Sequence, residues 1–173
     1  EGEVRVAPLP PVRIFGCPAR DAVDELALEM FRQSLDPTRC ALEVVSPEVL
    51  TAEVLSLVEQ QRVGLICIAA LPPGALAPTR YLCKRLRVRF PELKIVVGRW
   101  RFTGNVQEDR TRLLSAGADE VAMTLRETRS HVMQLIPLLS TLEPQPVPNG
   151  AYGLSPLVES PGRPASAAGV GAG

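Results

Sequence analysis

The side chains with chemistry to offer are few: one histidine, four cysteines, a cluster of acids and a run of arginines broken by aromatic residues. His131, flanked by Ser130 and Val132, is the sole imidazole, so the chain cannot assemble a Ser/His/Asp triad or a histidine-based metal cluster. Cys17, Cys40, Cys67 and Cys83 stand far apart with no C-x-x-C pair, which excludes a zinc knuckle and thioredoxin-type exchange and points to a reducing cytosol. Cys67 lies in an apolar run and reads as a small buried hydrophobe, whereas Cys17 follows the first apolar segment in a loop where a thiol is reachable. No base adjoins it in sequence. Asp21, Asp24 and Glu25 read as solvent-exposed acids at the positive end of a helix rather than as a general acid/base pair.

The positive anomaly is local charge. The chain carries 19 basic and 19 acidic residues, so nothing global draws it to nucleic acid or anionic lipid. Yet Arg80, Lys84, Arg85, Arg87, Arg89, Lys94, Arg99 and Arg101 crowd into one stretch where Glu92 is the only acid. Arg80, Lys84 and Arg87 share a helical face, while Arg99 and Arg101 bracket Trp100. Interleaved arginines and aromatics can stack on planar groups and grip phosphate or carboxylate. Arg80, Lys84, Arg87, Arg99 and Arg101 are therefore the candidate set for a partner surface or a small anion. The plain alternative is a solvated helix face paired with acids of neighbouring helices.

These residues must be placed by a scaffold, and hydrophobic periodicity supplies one. Apolar strands are expected at 12–16, 41–45, 63–70, 93–98 and 119–123, and the third runs without a charge, as a central parallel strand covered on both faces does. Helices are expected between them and after the last. The first, from near Arg20, should bury Val23, Leu26, Ala27, Met30, Phe31 and Leu35; the second should open on Ser46-Pro47-Glu48 and bury Leu50, Val54, Leu57 and Val58. The third covers roughly 78–89 and is ended by Pro91, the fourth covers about 106–116 with Gly117 as its stop, and the fifth covers 125–139. Strands alternating with helices make a doubly wound α/β domain of the flavodoxin-like kind, with parallel sheet order 2-1-3-4-5. Residues 1–10 read as a linker, 11–141 as the domain, and 142–173, rich in Pro, Gly, Ala and Ser, as a disordered tail whose Tyr152, Leu154, Leu157 and Val158 form a small apolar cluster. The longest apolar stretch is broken by Pro72 and Pro73 before it could span a bilayer, so the piece reads as soluble.

In this architecture ligands bind beyond the carboxyl ends of the strands, where the strand order reverses. The crevice residues there are Gly16, Cys17, Ala69, Ala70, Leu71, Gly98, Arg99 and Trp100. The first loop, FGCPARD, has one glycine and a proline that removes a donor, so neither a dinucleotide fingerprint nor a P-loop is present. A phosphoacceptor site would need an acid after strand three, which instead ends Ala69-Ala70-Leu71.

The order of elements, with VGLICIAALPPGALAPTRYLCKRLRVRFPELKIVVGRW and AGADEVAMTL, resembles the cobalamin-binding domain family over roughly residues 11–140. That family's signature is D-x-H-x-x-G after the first strand, Ser-x-Leu ending the third and Gly-Gly ending the fourth. Here the first is replaced by CPARDAV, with no histidine to ligate cobalt. The second survives only as Ala69-Ala70-Leu71, and in the third Gly98 matches but Arg99 stands where a second glycine would leave room for the cofactor's nucleotide tail. The stretch RYLCKRLRVRFPELKIVVG is, more specifically, similar to the C-terminal extensions of autoinducer-2 exporter-type permeases.

The resemblance implies a bacterial protein and a cytoplasmic domain, tethered to the inner membrane through regions outside this sequence. The expectation is a non-catalytic regulatory or interaction module without cofactor or metal, contacting another protein, its own membrane domain or a small anionic ligand, and no nucleic acid. The alternative is a sensor holding a corrinoid or nucleotide-like molecule in the crevice without a histidine ligand.

Overall fold

The computed structural model describes residues 10–101 and 103–140. Five strands, β1 (Val12–Pro18), β2 (Cys40–Val44), β3 (Leu65–Ala69), β4 (Lys94–Gly98) and β5 (Glu120–Ala122), alternate with five helices. These are α1 (Ala22–Gln33), α2 (Thr51–Gln61), α3 (Leu76–Arg89), α4 (Val106–Leu114) and α5 (Leu125–Ser140). The strands form one parallel sheet in the order β2-β1-β3-β4-β5, the flavodoxin-like arrangement. The tail with its Tyr152, Leu154, Leu157 and Val158 cluster lies outside the described residues, as does most of the N-terminal linker.

β3 shows why the sheet is central. All five of its residues are buried, with Leu65, Cys67 and Ala69 facing one helical layer and Ile66 and Ile68 facing the other. Leu28 and Phe31 of α1 and Val132 and Ile136 of α5 cover the first face. Val54 and Val58 of α2, Leu82, Cys83 and Leu86 of α3 and Leu113 of α4 cover the second. Gly16 lets α1 lie close on β1, for a Cβ there would meet the Leu28 side chain at 3.3 Å.

Two helices differ from the sequence expectation. α1 carries two apolar stripes, and the one turned inward is Leu28, Phe31 and Leu35; Val23, Leu26 and Met30 are 59%, 62% and 59% exposed. Asp24 turns inward with this stripe and accepts the Leu71 amide at 2.8 Å. α2 starts at Thr51 rather than near Ser46, because the residues before it turn through Val49 N–H to Ser46 C=O, and Leu50 ends up exposed at the N-cap. Leucine cannot cap, so only Glu53 reaches back, accepting the Leu50 amide at 2.8 Å. Elsewhere the ends fall within two residues of expectation, and Gly117 stands after α4 with φ +109°, where a left-handed stop is required.

Candidate functional site

The crevice lies over the carboxyl ends of β1, β3 and β4, where Pro18 pairs with Ala69 and Ala69 with Gly98. Its mouth should be the loop after β3, Ala70 to Ala75, and that loop is held from both sides. Arg20 donates from Nη1 to the Pro73 carbonyl at 2.6 Å, and Asp24 accepts the Leu71 amide. From the other side Arg99 donates through Nη1 to the carbonyls of Ala70 (3.1 Å) and Gly74 (2.8 Å), and through Nη2 to Asp109 at 2.6 Å. Arg99 is 2% exposed and Asp109 7%, so this is a buried ion pair joining β4, α4 and the loop. A buried guanidinium needs such partners to offset its lost hydration. Gly74 closes the clasp: at φ +83°, a Cβ there would sit 2.9 Å from Arg20 Nη1.

Trp100 occupies the floor. Its indole lies over Gly98, where a Cβ would meet ring atoms at 2.5–2.7 Å, and it tilts against Phe31 at 5.7 Å between centroids. Nε1 donates to Thr128 Oγ1 at 2.7 Å, which satisfies the one polar atom of a ring only 4% exposed. Trp100 and Arg99, expected at the crevice surface, are thus parts of the interior. The glycine matched to the family motif is kept for close approach by this chain's own tryptophan.

Cys17 belongs to β1, not to a loop, and is buried. Desolvation, reinforced by nearby Cys83, pushes its thiol up to about 12, and burial raises Cys83 to about 12 and Cys67 higher still. Between pH 7 and 8 a thiol at about 12 holds roughly a thousand-fold less thiolate than an ordinary one at 9.0. Cys17, Cys67 and Cys83 should therefore resist iodoacetamide in the native protein and react together on unfolding. Mass spectrometry of partly labelled chains should show these three all modified or all unmodified; Cys17 labelled alone would show that β1 opens separately.

Asp24, expected at the surface, is 1% exposed. Desolvation is the largest influence on its carboxyl and raises its pKa, against the lowering effect of the Leu71 hydrogen bond. Oδ2 is buried without a full hydrogen bond; the Arg20 amide lies near enough to lower the pKa but not to close one. A carboxyl raised on folding adds stability below its unfolded pKa, and that contribution is lost as pH rises through the folded value. At neutral pH, Asp24→Asn should keep the acceptor for Leu71 and raise the urea midpoint, a gain that shrinks as the medium is acidified towards the ordinary carboxylate range. Denaturation curves at several pH values check this; a loss at neutral pH would mean that the charge itself is required.

The basic set divides. Arg87 uses all five guanidinium donors internally: Nε and Nη2 reach the Gly117 carbonyl at 3.1 and 2.8 Å, Nη2 also reaches Asp119 at 2.7 Å, and Nη1 reaches the carbonyls of Leu93 (2.8 Å) and Pro91. It staples the end of α3 to the turns flanking β4 and β5. Arg80 is half-buried, with Nε inside and without a partner among the described residues. Lys84 and Arg85 are exposed on the outer face of α3, and Arg85 lies 6.0 Å over the Tyr81 ring. Arg101 is exposed at φ +61° beside the crevice. So the five expected cations do not converge, and the outer face of α3 consists of Tyr81, Lys84, Arg85 and Val88, with Tyr81 55% and Val88 85% exposed. Val88 was legible only as part of the helix, whereas Arg85 already stood in the basic cluster; burial of Leu82, Cys83 and Leu86 leaves this face outward.

His131 lies half-buried on α5, with Nδ1 3.5 Å from Glu120 and Nε2 3.7 Å from Glu127, which also meets Arg110 at 3.5 Å. It is remote in role from the crevice, whose ring of partners does not include it. Among the described residues no helix is long and apolar enough to cross a membrane.

No protein-family model and no curated protein sequence matches the chain. Solved structures do. A cobalamin-binding protein from Desulfitobacterium hafniense DCB-2 superposes with TM-score 0.59 at 13% identity, covering 72% of this chain and 58% of its own. The chain thus spans little more than half the length of that protein. An orphan response regulator of H. pylori gives 0.52 at 14% identity over 76% and 99% of the two chains, and a response regulator from Thermotoga maritima 0.53 at 15% over 73% and 98%. At these identities the likeness is one of fold. The residues here do not fit a cobalamin: the lower histidine ligand has no counterpart in CPARDAV, the indole of Trp100 lies over Gly98, and Arg99 is locked to Asp109.

Proposed function

We propose that this chain is a non-catalytic interaction module, the cytoplasmic part of a larger protein of the permease class its sequence resembles, and that it engages its partner through the outer face of α3 instead of the crevice. The observation that carries this reading is the indole of Trp100 lying over Gly98, with the Arg99–Asp109 pair clamping the loop above it. Space that a flavodoxin-like domain reserves for ligand is filled by its own side chains. The outer face of α3 offers a mixed surface instead, with Tyr81 and Val88 supplying apolar contact and Lys84 and Arg85 supplying charge. Such a face suits an acidic surface with apolar patches, on another protein or on the parent's own membrane domain. The response-regulator names of two fold neighbours support a regulatory use.

Two measurements test it. Cobalamin titrated into the purified chain should give neither a spectral shift nor heat; a stoichiometric response would return the crevice-sensor reading. In the full-length parent, Lys84→Glu with Arg85→Glu should weaken partner binding, or alter the parent's activity, by about ten-fold or more. Unchanged behaviour would remove α3 as the docking face.

A further inference from the structure

α1 carries an apolar stripe that the fold leaves outside. Val23, Leu26 and Met30 recur at i, i+3 and i+7, are 59%, 62% and 59% exposed, and are bordered along one side by Glu25 and Glu29. On the opposite side of the sheet, α3 presents Tyr81 and Val88 with Lys84 and Arg85 between them. Val23 to Met30 and Tyr81 to Val88 are the same interval, two helical turns or about 10.5 Å. The charges are opposite as well. α3 contains no acid, whereas α1, whose Asp24 is buried, carries Glu25 and Glu29 against the single base Arg32, which is paired with Glu29 at 2.6 Å.

We infer that a second copy of this chain is a partner for the α3 face, docking through its α1 so that Tyr81 and Val88 pack on the Val23–Leu26–Met30 stripe while Lys84 and Arg85 meet Glu25 and Glu29. This rests on α3 being a docking face. Like pairings are disfavoured: α1 against α1 brings acids together along the same border, and α3 against α3 brings bases together. Because the two surfaces are different and lie on opposite faces of the sheet, the association is head-to-tail, and an open assembly keeps one free α1 at one end and one free α3 at the other until a ring closes. The apolar anchors are few, so the contact belongs at the small, weak, salt-sensitive end of the range.

Sedimentation velocity of the chain from about 10 µM to about 1 mM should show self-association that extends beyond a dimer and weakens by about ten-fold between low and high salt. Leu26→Arg blocks α1, and Lys84→Glu with Arg85→Glu blocks α3; all three positions are exposed, so the fold is spared. Each variant alone should stay monomeric. Mixed together they should form a 1:1 dimer and nothing larger, because one intact α3 meets one intact α1. A wild-type chain that stays monomeric throughout, a blocked variant that still assembles, or a mixture that does not pair would each overturn the inference. If self-association is absent while the α3 variant still impairs the parent protein, the docking face stands and only the second-copy partner falls.

Discussion

Trp100→Ala should lower the free energy of unfolding by about 3–5 kcal/mol, the range for removing a buried large aromatic side chain. The indole is 4% exposed, packs on Phe31 and covers Gly98, so its removal leaves a void between the sheet and α1 that the glycine cannot fill. Thr128 loses the indole donor but keeps its own bond to the Thr124 carbonyl, so most of the loss comes from packing. Urea denaturation gives the magnitude. Added indole should restore part of the loss, since it fits the space vacated; a change below about 1 kcal/mol would show that the ring does not fill the crevice floor. Gly98→Ala tests the same contact from beneath, because its Cβ would be driven 2.5 Å from the ring, and overpacking of this kind costs about 1–3 kcal/mol.

Removing one member of the Arg99–Asp109 pair should be as damaging. Asp109→Ala leaves a guanidinium 2% exposed without its carboxylate, a situation that costs about 3–5 kcal/mol. Replacing both, Arg99→Met with Asp109→Leu, should recover much of that loss, because the desolvation burden disappears with the charges. The double variant does not recover the hydrogen bonds from Arg99 to the Ala70 and Gly74 carbonyls. A double-mutant cycle on the unfolding free energy separates these contributions. A double variant as unstable as the sum of the singles would locate the importance of Arg99 in the loop and not in the pair.

The fold was open to reading because its signals are local and repeated. β3 has no charge, Gly117 stops α4, Pro91 follows α3, and strands alternate with helices along the whole domain. The absence of a lower histidine and of a phosphoacceptor acid was equally plain. What the sequence hid was the direction in which side chains turn. α1 offers two apolar stripes of similar strength, and it is Leu28 that joins Phe31 inside while Leu26 and Met30 stay out; the inward partner of Asp24, the Leu71 amide, lies 47 residues away in sequence. Arg87 and Arg99 look in sequence like their exposed neighbours; their partners, Asp119 and Asp109, arrive from other elements. Trp100 between two arginines reads as a stacking platform until Gly98 is seen to make room for it. Spacing along the chain fixes a periodicity, but contacts across the sheet decide which side of it is dry.

The clasp on the Ala70–Ala75 loop bears on how the domain breathes. A segment beyond the strand ends is ordinarily among the first to open, with amides that trade protons quickly. Here the Leu71 amide points at a carboxylate that water scarcely reaches, and the Ala70 amide donates to the Gly98 carbonyl at 2.9 Å. Both should exchange with deuterium as slowly as amides in the middle of β3, so that the rim usually reserved for motion behaves as an extension of the rigid sheet.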